Sequence, residues 1–174
     1  MRFYEALDLA PRLALDLEDV KRRFYERSRA WHPDRFSRAG SAEQARALEM
    51  SSALNDAFRT LRDPVARAEY FLEESGIPAS KTPPPELLEE VFDLNMALEE
   101  MREGDDSARP RLVDAEKRFV EMRNEIDGNL ATWFAAYDQN ATPALLDDVR
   151  RALDRRRYIS NLVAEVQKEL ARRD

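Results

Sequence analysis

The chain contains no cysteine. Disulfides, thiolate nucleophiles, Cys-ligated zinc and Cys-bound clusters are therefore excluded, and a reducing compartment, most simply the cytoplasm, is the expectation. Histidine is almost as scarce. His32 is the only one in 174 residues, so a zinc site of the HExxH type is impossible. Four glycines and an absence of β-branched runs favour helices over sheets. No apolar stretch approaches the roughly 20 residues that span a bilayer, and the opening MRFYEALDL does not read as a secretory signal. There is no Gly-rich phosphate loop and no G-x-S-x-G elbow. A His32/Asp34 acid–base pair is conceivable, but no pocket-forming residues accompany it. The net charge of −7 argues against nucleic acid as the main partner, and no metal or cofactor is expected.

What is present is helical periodicity punctuated by proline. Helices are expected at about 2–9, 17–31, 42–62 and 64–76, and then at about 85–103, 108–138 and 143–172. Asp16 reads as the cap of the second helix, Ser41 to Gln44 as a capping box, and Asp63-Pro64 and Thr142-Pro143 as caps followed by an N1 proline. The stretch GIPASKTPPP divides the chain. The expected organisation is an N-terminal domain at 1–76, a Pro-rich linker at 77–85 and a three-helix bundle at 86–174, all α.

His32-Pro33-Asp34 falls where the second helix must stop. Pro33 pushes His32 out of the helical region and has no N–H to give. The two polar tips are thus placed on a bend, available to a partner. In the helix before it, Leu17, Val20, Phe24 and Trp31 share one face, expected to pack inward. Arg22 and Arg29 lie opposite, Lys21 and Arg23 to either side, and Arg35 follows the bend. This basic stripe on an acidic chain suits an acidic protein partner; the plain alternative is a solvated helix face.

On the helix at 85–103, Leu87, Val91, Leu94, Leu98 and Met101 form one apolar face, while Leu88, Phe92 and Met96 form a second, bordered by Glu89, Asp93, Glu99 and Glu100. One stripe is enough for a bundle. The second reads as a docking strip, or as a wide core face or packing against the first domain. In the last helix Leu145, Val149, Ala152, Ile159, Val163, Val166 and Leu170 form the expected core stripe, with Tyr158 pointing away. In the middle helix Leu112, Phe119, Ile126, Leu130, Trp133, Phe134 and Tyr137 read as core.

The first domain resembles a J-domain. Tyr4-Glu-Ala-Leu7-Asp-Leu9 is similar to that family's opening helix, with Asp8 where Gly is usual, and Leu54-Asn55-Asp-Ala57-Phe58-Arg-Thr-Leu61-Arg-Asp63-Pro64 to its third helix and exit. Leu61-Arg-Asp-Pro64 followed by Arg67-Ala-Glu-Tyr70-Phe-Leu72 is similar to the HscB type, the J-domain co-chaperones of iron–sulfur cluster assembly. The resemblance implies that His32, Pro33 and Asp34, with Lys21, Arg22, Arg23, Arg29 and Arg35, engage a DnaK/HscA-class ATPase chaperone and favour its hydrolysing state without breaking bonds themselves. It further implies that Leu88, Phe92, Asp93, Met96 and Tyr158 bind an IscU-type scaffold, and that Glu89 stands where the family often has an apolar residue. The rivals are a J-domain adaptor for another client and a helical oligomer with a buried Leu88/Phe92/Met96 seam. A monomer or weak dimer is expected.

Overall fold

A computed structural model of the chain describes residues 2–172. The order is α1 (Arg2–Ala6), α2 (Leu17–Ala30), a 3-10 turn at Pro33–Phe36, α3 (Ser41–Arg62), α4 (Pro64–Glu74), a 3-10 turn at Pro85–Leu87, α5 (Leu88–Glu103), a 3-10 turn at Asp106–Ala108, α6 (Arg109–Gln139) and α7 (Pro143–Ala171). Among the described residues there is no strand, as expected. Two of the expected caps are made in full. Asp16 accepts the Glu18 N–H at 2.9 Å, and Asp63 accepts the Ala66 N–H at 2.7 Å ahead of Pro64. The capping box at Ser41 is not made. Gly40 is the cap residue without a side-chain bond, and Gln44 instead donates to the Ser37 and Ala39 carbonyls at 3.2 and 3.1 Å. Those carbonyls leave the preceding turn without helical partners, and the Gln44 NH2 supplies them with donors.

Packing divides the chain into two units, Met1–Pro78 with Thr132–Leu146, and Ala79–Ala131 with Asp147–Asp174. In the first, α3 packs against α1, α2 and α4. Leu7, Leu13, Val20, Leu54, Leu61 and Leu72 form the dry interior. Each buried Leu contributes about 1.5–3 kcal/mol relative to exposure. Leu17, expected inside, is 45% exposed. It is the first residue of α2, and the wheel extrapolates poorly where a helix is only beginning.

A charge sits within this apolar interior. Arg67, only 5% exposed, donates from Nε to the Leu13 carbonyl and from Nη1 to the Leu61 carbonyl, both at 2.7 Å. Its guanidinium lies 5.9 Å from the Phe134 ring centroid. Burial pulls its pKa down while Tyr4, Asp63 and Asp138 act in the opposite direction. Asp138 accepts the Leu13 and Ala14 N–H groups at 3.0 and 2.8 Å, and Tyr137 meets Phe71 edge-on at 5.7 Å. The tip at 132–146, which the sequence assigns to the bundle, is thereby grouped with the first unit. Asp8 adopts φ 55°. This left-handed conformation costs an L-residue roughly 1–2 kcal/mol, and Asp is one of the few types that visits it. Arg23 holds it, donating to its carbonyl and pairing with its carboxylate at 3.0 Å.

In the second unit, Asp127 bonds Arg156 at 3.0 Å and Glu116 bonds Gln167 at 2.7 Å. Steps back along α6 match steps forward along α7, so the two run antiparallel. Gly104, at φ 103°, ends α5 where a side chain would be strained, and the Asp105 N–H closes on the Glu100 carbonyl at 2.9 Å. Leu94, Leu98, Met101, Leu112, Phe119 and Ile126 are buried as expected, while Val91 is only half-buried. In α7 the phase of the stripe differs. Leu146 and Leu153 are buried, whereas Leu145 and Ala152 are half-exposed. A straight-wheel phase drifts along a 29-residue helix.

Removing the Arg67 guanidinium strands two buried carbonyls. Arg67→Ala is expected to lower stability by about 2–6 kcal/mol, the cost of two buried carbonyls left unsatisfied. Arg67→Lys is expected to recover only part of this, because a point charge cannot bond both carbonyls and lie against Phe134. Urea titrations of the three chains check the order.

Candidate functional site

The bend after α2 is built by proline and aromatic packing. Trp31 closes the helix with its N–H on the Arg27 carbonyl at 3.0 Å, and its ring stacks on Phe36 at 5.8 Å with the Arg46 guanidinium 5.6 Å away. His32 then turns extended, at φ −63° and ψ 128°, as a residue before proline must. The Asp34 N–H donates to His32 Nδ1 at 3.3 Å, and the Arg35 N–H to the His32 carbonyl at 3.0 Å. Arg35 also reaches back to the Arg29 carbonyl at 3.2 Å. The side chains of His32 and Asp34 are 58% and 90% exposed. His32, Asp34, Arg29 and Arg35 are therefore brought to one end of α2, and Pro33 lies half-buried beneath them.

The outer face of α2 differs from a plain cationic stripe. Lys21 pairs with Glu18 at 2.7 Å; Arg22 pairs with Asp19 and, at 3.3 Å, with Glu26; Arg23 pairs with Asp19 at 2.9 Å. Hydrogen bonds from Arg23 and Arg22 hold the Asp19 carboxyl below its usual range, and donating to Glu18 and Asp19 pushes Lys21 and Arg22 up. Its middle is internally neutralised. Among the described residues no ion pair engages Arg29 or Arg35, so the unneutralised positive charge gathers at the bend. Two apolar groups were missed in the sequence. Tyr25 is 59% exposed, and with Leu17 and Lys21 it follows an i, i+4, i+8 row along the helix. A tyrosine breaking a basic face was the available signal.

On α5, Leu88, Phe92 and Met96 are 56%, 65% and 47% exposed, and Glu89, Asp93 and Glu99 are exposed beside them. The seam is open in the isolated chain. Asp93 and Met96 also border a groove of about 690 Å³ floored by Leu94, Ala97 and Ala115 of α5 and α6. Tyr158 is placed apart from the strip. It is half-buried and lines a hollow with Ser80, Lys81, Thr82 and Pro83, to which Leu88, Phe92 and Met96 do not belong. That segment is tied to α7 by Ser80, whose N–H donates to Asp154 at 3.2 Å and whose carbonyl accepts from Arg157 at 2.7 Å. A helical wheel could not show this cover, because it comes from residues outside the helix.

Comparison with known families follows the same division. The DnaJ domain matches residues 2–70, and the HSCB C-terminal oligomerisation domain matches residues 83–167. The chain belongs to the HscB family of J-domain co-chaperones. Co-chaperone protein HscB homologs of Neisseria meningitidis, from serogroup C and serogroup B strains, are 28% identical over 173 residues, covering 97% of this chain and 99% of theirs. Chaperone HscB from Vibrio cholerae superposes with a TM-score of 0.65 at 25% identity, covering 99% of both chains. The human co-chaperone protein HscB shares the fold, with a TM-score of 0.66 at 21% identity over 96% of this chain and 81% of that one. Among the described residues no helix is long and apolar enough to cross a membrane.

An open strip and a core stripe on one helix respond differently to truncation. Phe92→Ala is expected to change stability by less than about 0.5 kcal/mol, and Leu98→Ala to cost about 2–5 kcal/mol. Thermal and urea unfolding of the two variants check the contrast.

Proposed function

We propose that this HscB-family chain binds an IscU-type scaffold through the α5 strip and presents it to a DnaK/HscA-class chaperone through the bend at His32-Pro33-Asp34, stimulating that chaperone's ATPase. The observation that carries the reading is the exposure of both surfaces. A polar bend fixed by Pro33 and the Trp31–Phe36 stack stands open in one unit, and three large apolar side chains stand open in the other. Apolar side chains gathered on one helix face and rimmed by carboxylates suit a protein partner.

The chain itself does no bond-breaking in this reading and uses no cofactor. Asp34 accepts a charge-assisted hydrogen bond from a partner Arg or Lys. Arg29 and Arg35 face acidic groups of the partner, with Lys21, Arg22 and Arg23 exchanging internal carboxylates for external ones. Tyr25 adds an exposed aromatic contact on the same helix. Leu88, Phe92 and Met96 supply apolar contact to the scaffold, and Asp93 marks its edge. Tyr158 joins that contact only at its uncovered side. Hydrolysis in the chaperone then tightens its hold on the delivered scaffold and promotes cluster transfer. The expected setting is the cytoplasm, with the chain acting as a monomer or weak dimer.

The test is an ATPase assay with purified chaperone, with and without scaffold, joined to calorimetric titration of the scaffold. His32→Gln is expected to reduce stimulation at least about tenfold while leaving scaffold affinity unchanged. Phe92→Ala is expected to weaken scaffold affinity by about tenfold, the effect of losing one well-packed aromatic contact, while leaving scaffold-free stimulation unchanged. Full stimulation by His32→Gln would refute the role of the bend. Undiminished scaffold binding by Phe92→Ala would favour a different client or surface.

A further inference from the structure

We propose that the bend holds His32 as its Nε2–H tautomer, so that a partner meets one imidazole N–H donor beside one carboxylate acceptor. The proposal rests on the reading of this bend as a docking element, and it specifies the chemistry the partner must bring. That chemistry is a carbonyl or carboxylate oxygen opposite Nε2, and a guanidinium or ammonium group opposite Asp34.

The argument starts from an accounting of N–H groups. The turn at Pro33–Phe36 begins with Pro33, which has no N–H. Asp34 is therefore the first residue of the turn with a donor to satisfy, and the first donors of any helical turn lack partners within it. His32 supplies the partner. Its Nδ1 accepts the Asp34 N–H at 3.3 Å, in the way that Ser, Asp or Asn caps a helix. A neutral imidazole has one donor nitrogen and one acceptor nitrogen. Once Nδ1 is committed as acceptor, the proton resides on Nε2, at the far side of a ring whose side chain is 58% exposed.

A smaller capping residue would satisfy the same N–H but would place no donor at the position of Nε2: Ser and Asp end at the capping oxygen, and the NH2 of Asn is held on the same carbon as its capping oxygen. Imidazole alone among neutral side chains can cap with one nitrogen and donate with another across a rigid ring. The opposite tautomer would act against docking. Nδ1 lies 3.5 Å from Asp34 Oδ2, so a proton on Nδ1 would point to that carboxylate and draw it onto its own chain. The amide is the nearer of the two groups, and satisfying it leaves the Asp34 carboxylate, 90% exposed, to a partner.

Because His32 is the only histidine, a long-range proton–nitrogen correlation spectrum of the labelled chain reports this ring alone. For the neutral ring it should show Nε2 protonated and Nδ1 bare. A protonated Nδ1, or fast averaging of the two nitrogens, would overturn the proposal. Two variants separate the cap from the donor. His32→Asn keeps an oxygen at the capping position and withdraws the donor from the position of Nε2, its NH2 being held one bond from the capping oxygen's carbon. It should preserve slow exchange of the Asp34 amide yet lose stimulation of the chaperone ATPase. His32→Gln carries its amide further out, and its Asp34 amide should exchange about fivefold faster, the worth of one cap. Full stimulation by His32→Asn would show that the outer N–H is not used. A wild-type chain that stimulates no chaperone ATPase would sink the docking reading, and the spectrum would still decide the tautomer.

Discussion

The first unit is organised around a buried positive charge. A guanidinium inside a protein survives only if its N–H groups are met and its charge is answered. Arg67 has the Leu13 and Leu61 carbonyls, the Phe134 ring, and Asp138 and Asp63 nearby. Those carbonyls belong to the stretch before α2 and to the last turn of α3. One side chain therefore fixes the distance between the entry to α2 and the exit from α3. Tyr4 reinforces the same region, its hydroxyl donating to the Arg12 carbonyl at 2.8 Å, and burial pushes that phenol up and keeps it neutral. The bend at His32 is carried at the far end of a helix whose near end is held in this way. The three residues of the bend thus take their backbone from Pro33 and the Trp31–Phe36 stack, on a helix anchored at its other end.

Much of this was legible in the chain because it is local. Asp16 and Asp63 cap the helices they precede, Pro33 stops α2, and Leu88, Phe92 and Met96 lie off the face that Leu94, Leu98 and Met101 bury. What failed required knowledge of neighbours. Gln44 chose the carbonyls of the previous turn over its own cap. Leu145 yielded its place to Leu146 because an ideal wheel accumulates phase error over eight turns of helix. Phe134, Tyr137 and Asp138 packed with Phe71, Leu13 and Arg67. None of these contacts has a sequence spacing that would announce it. The pairing on α2 was readable and was missed for a different reason. Glu18, Asp19 and Glu26 stand three or four residues from Lys21, Arg22 and Arg23, the spacing at which helical side chains meet, and a count of bases alone overlooks them.

The two surfaces illustrate how rigid elements can hold side chains open to solvent. Neither relies on a cluster of metal-ligating groups or on a strongly perturbed acid. One is a turn whose polar atoms are satisfied so that others remain free, and the other is a helix whose second apolar row is left without an intramolecular cover. Exposed side chains of this size cost little stability individually. Their value lies in area that a partner can remove from water, with the carboxylates around them limiting contact with arbitrary apolar surfaces.

In the proposed reading, the paired charges on α2 constrain how a partner recognises it. The net charge of the chain is −7, and each neutralised pair looks dipolar from beyond the Debye length of about 8 Å at physiological salt. Long-range attraction of an acidic partner to this helix is therefore weak, and recognition has to occur at contact. There the shared pairs become useful. Arg22 lies between Asp19 and Glu26, and Arg23 between Asp19 and Asp8. Either arginine can trade one carboxylate for a partner's while keeping the other, so its charge is never left unanswered during exchange. Among the described residues no ion pair engages Arg29 or Arg35, which lie at the same end of α2 as Asp34. Charge of both signs is thus concentrated where proline has already fixed the backbone. Selectivity on this face follows from the match to that short rigid turn, and α2 serves to orient it.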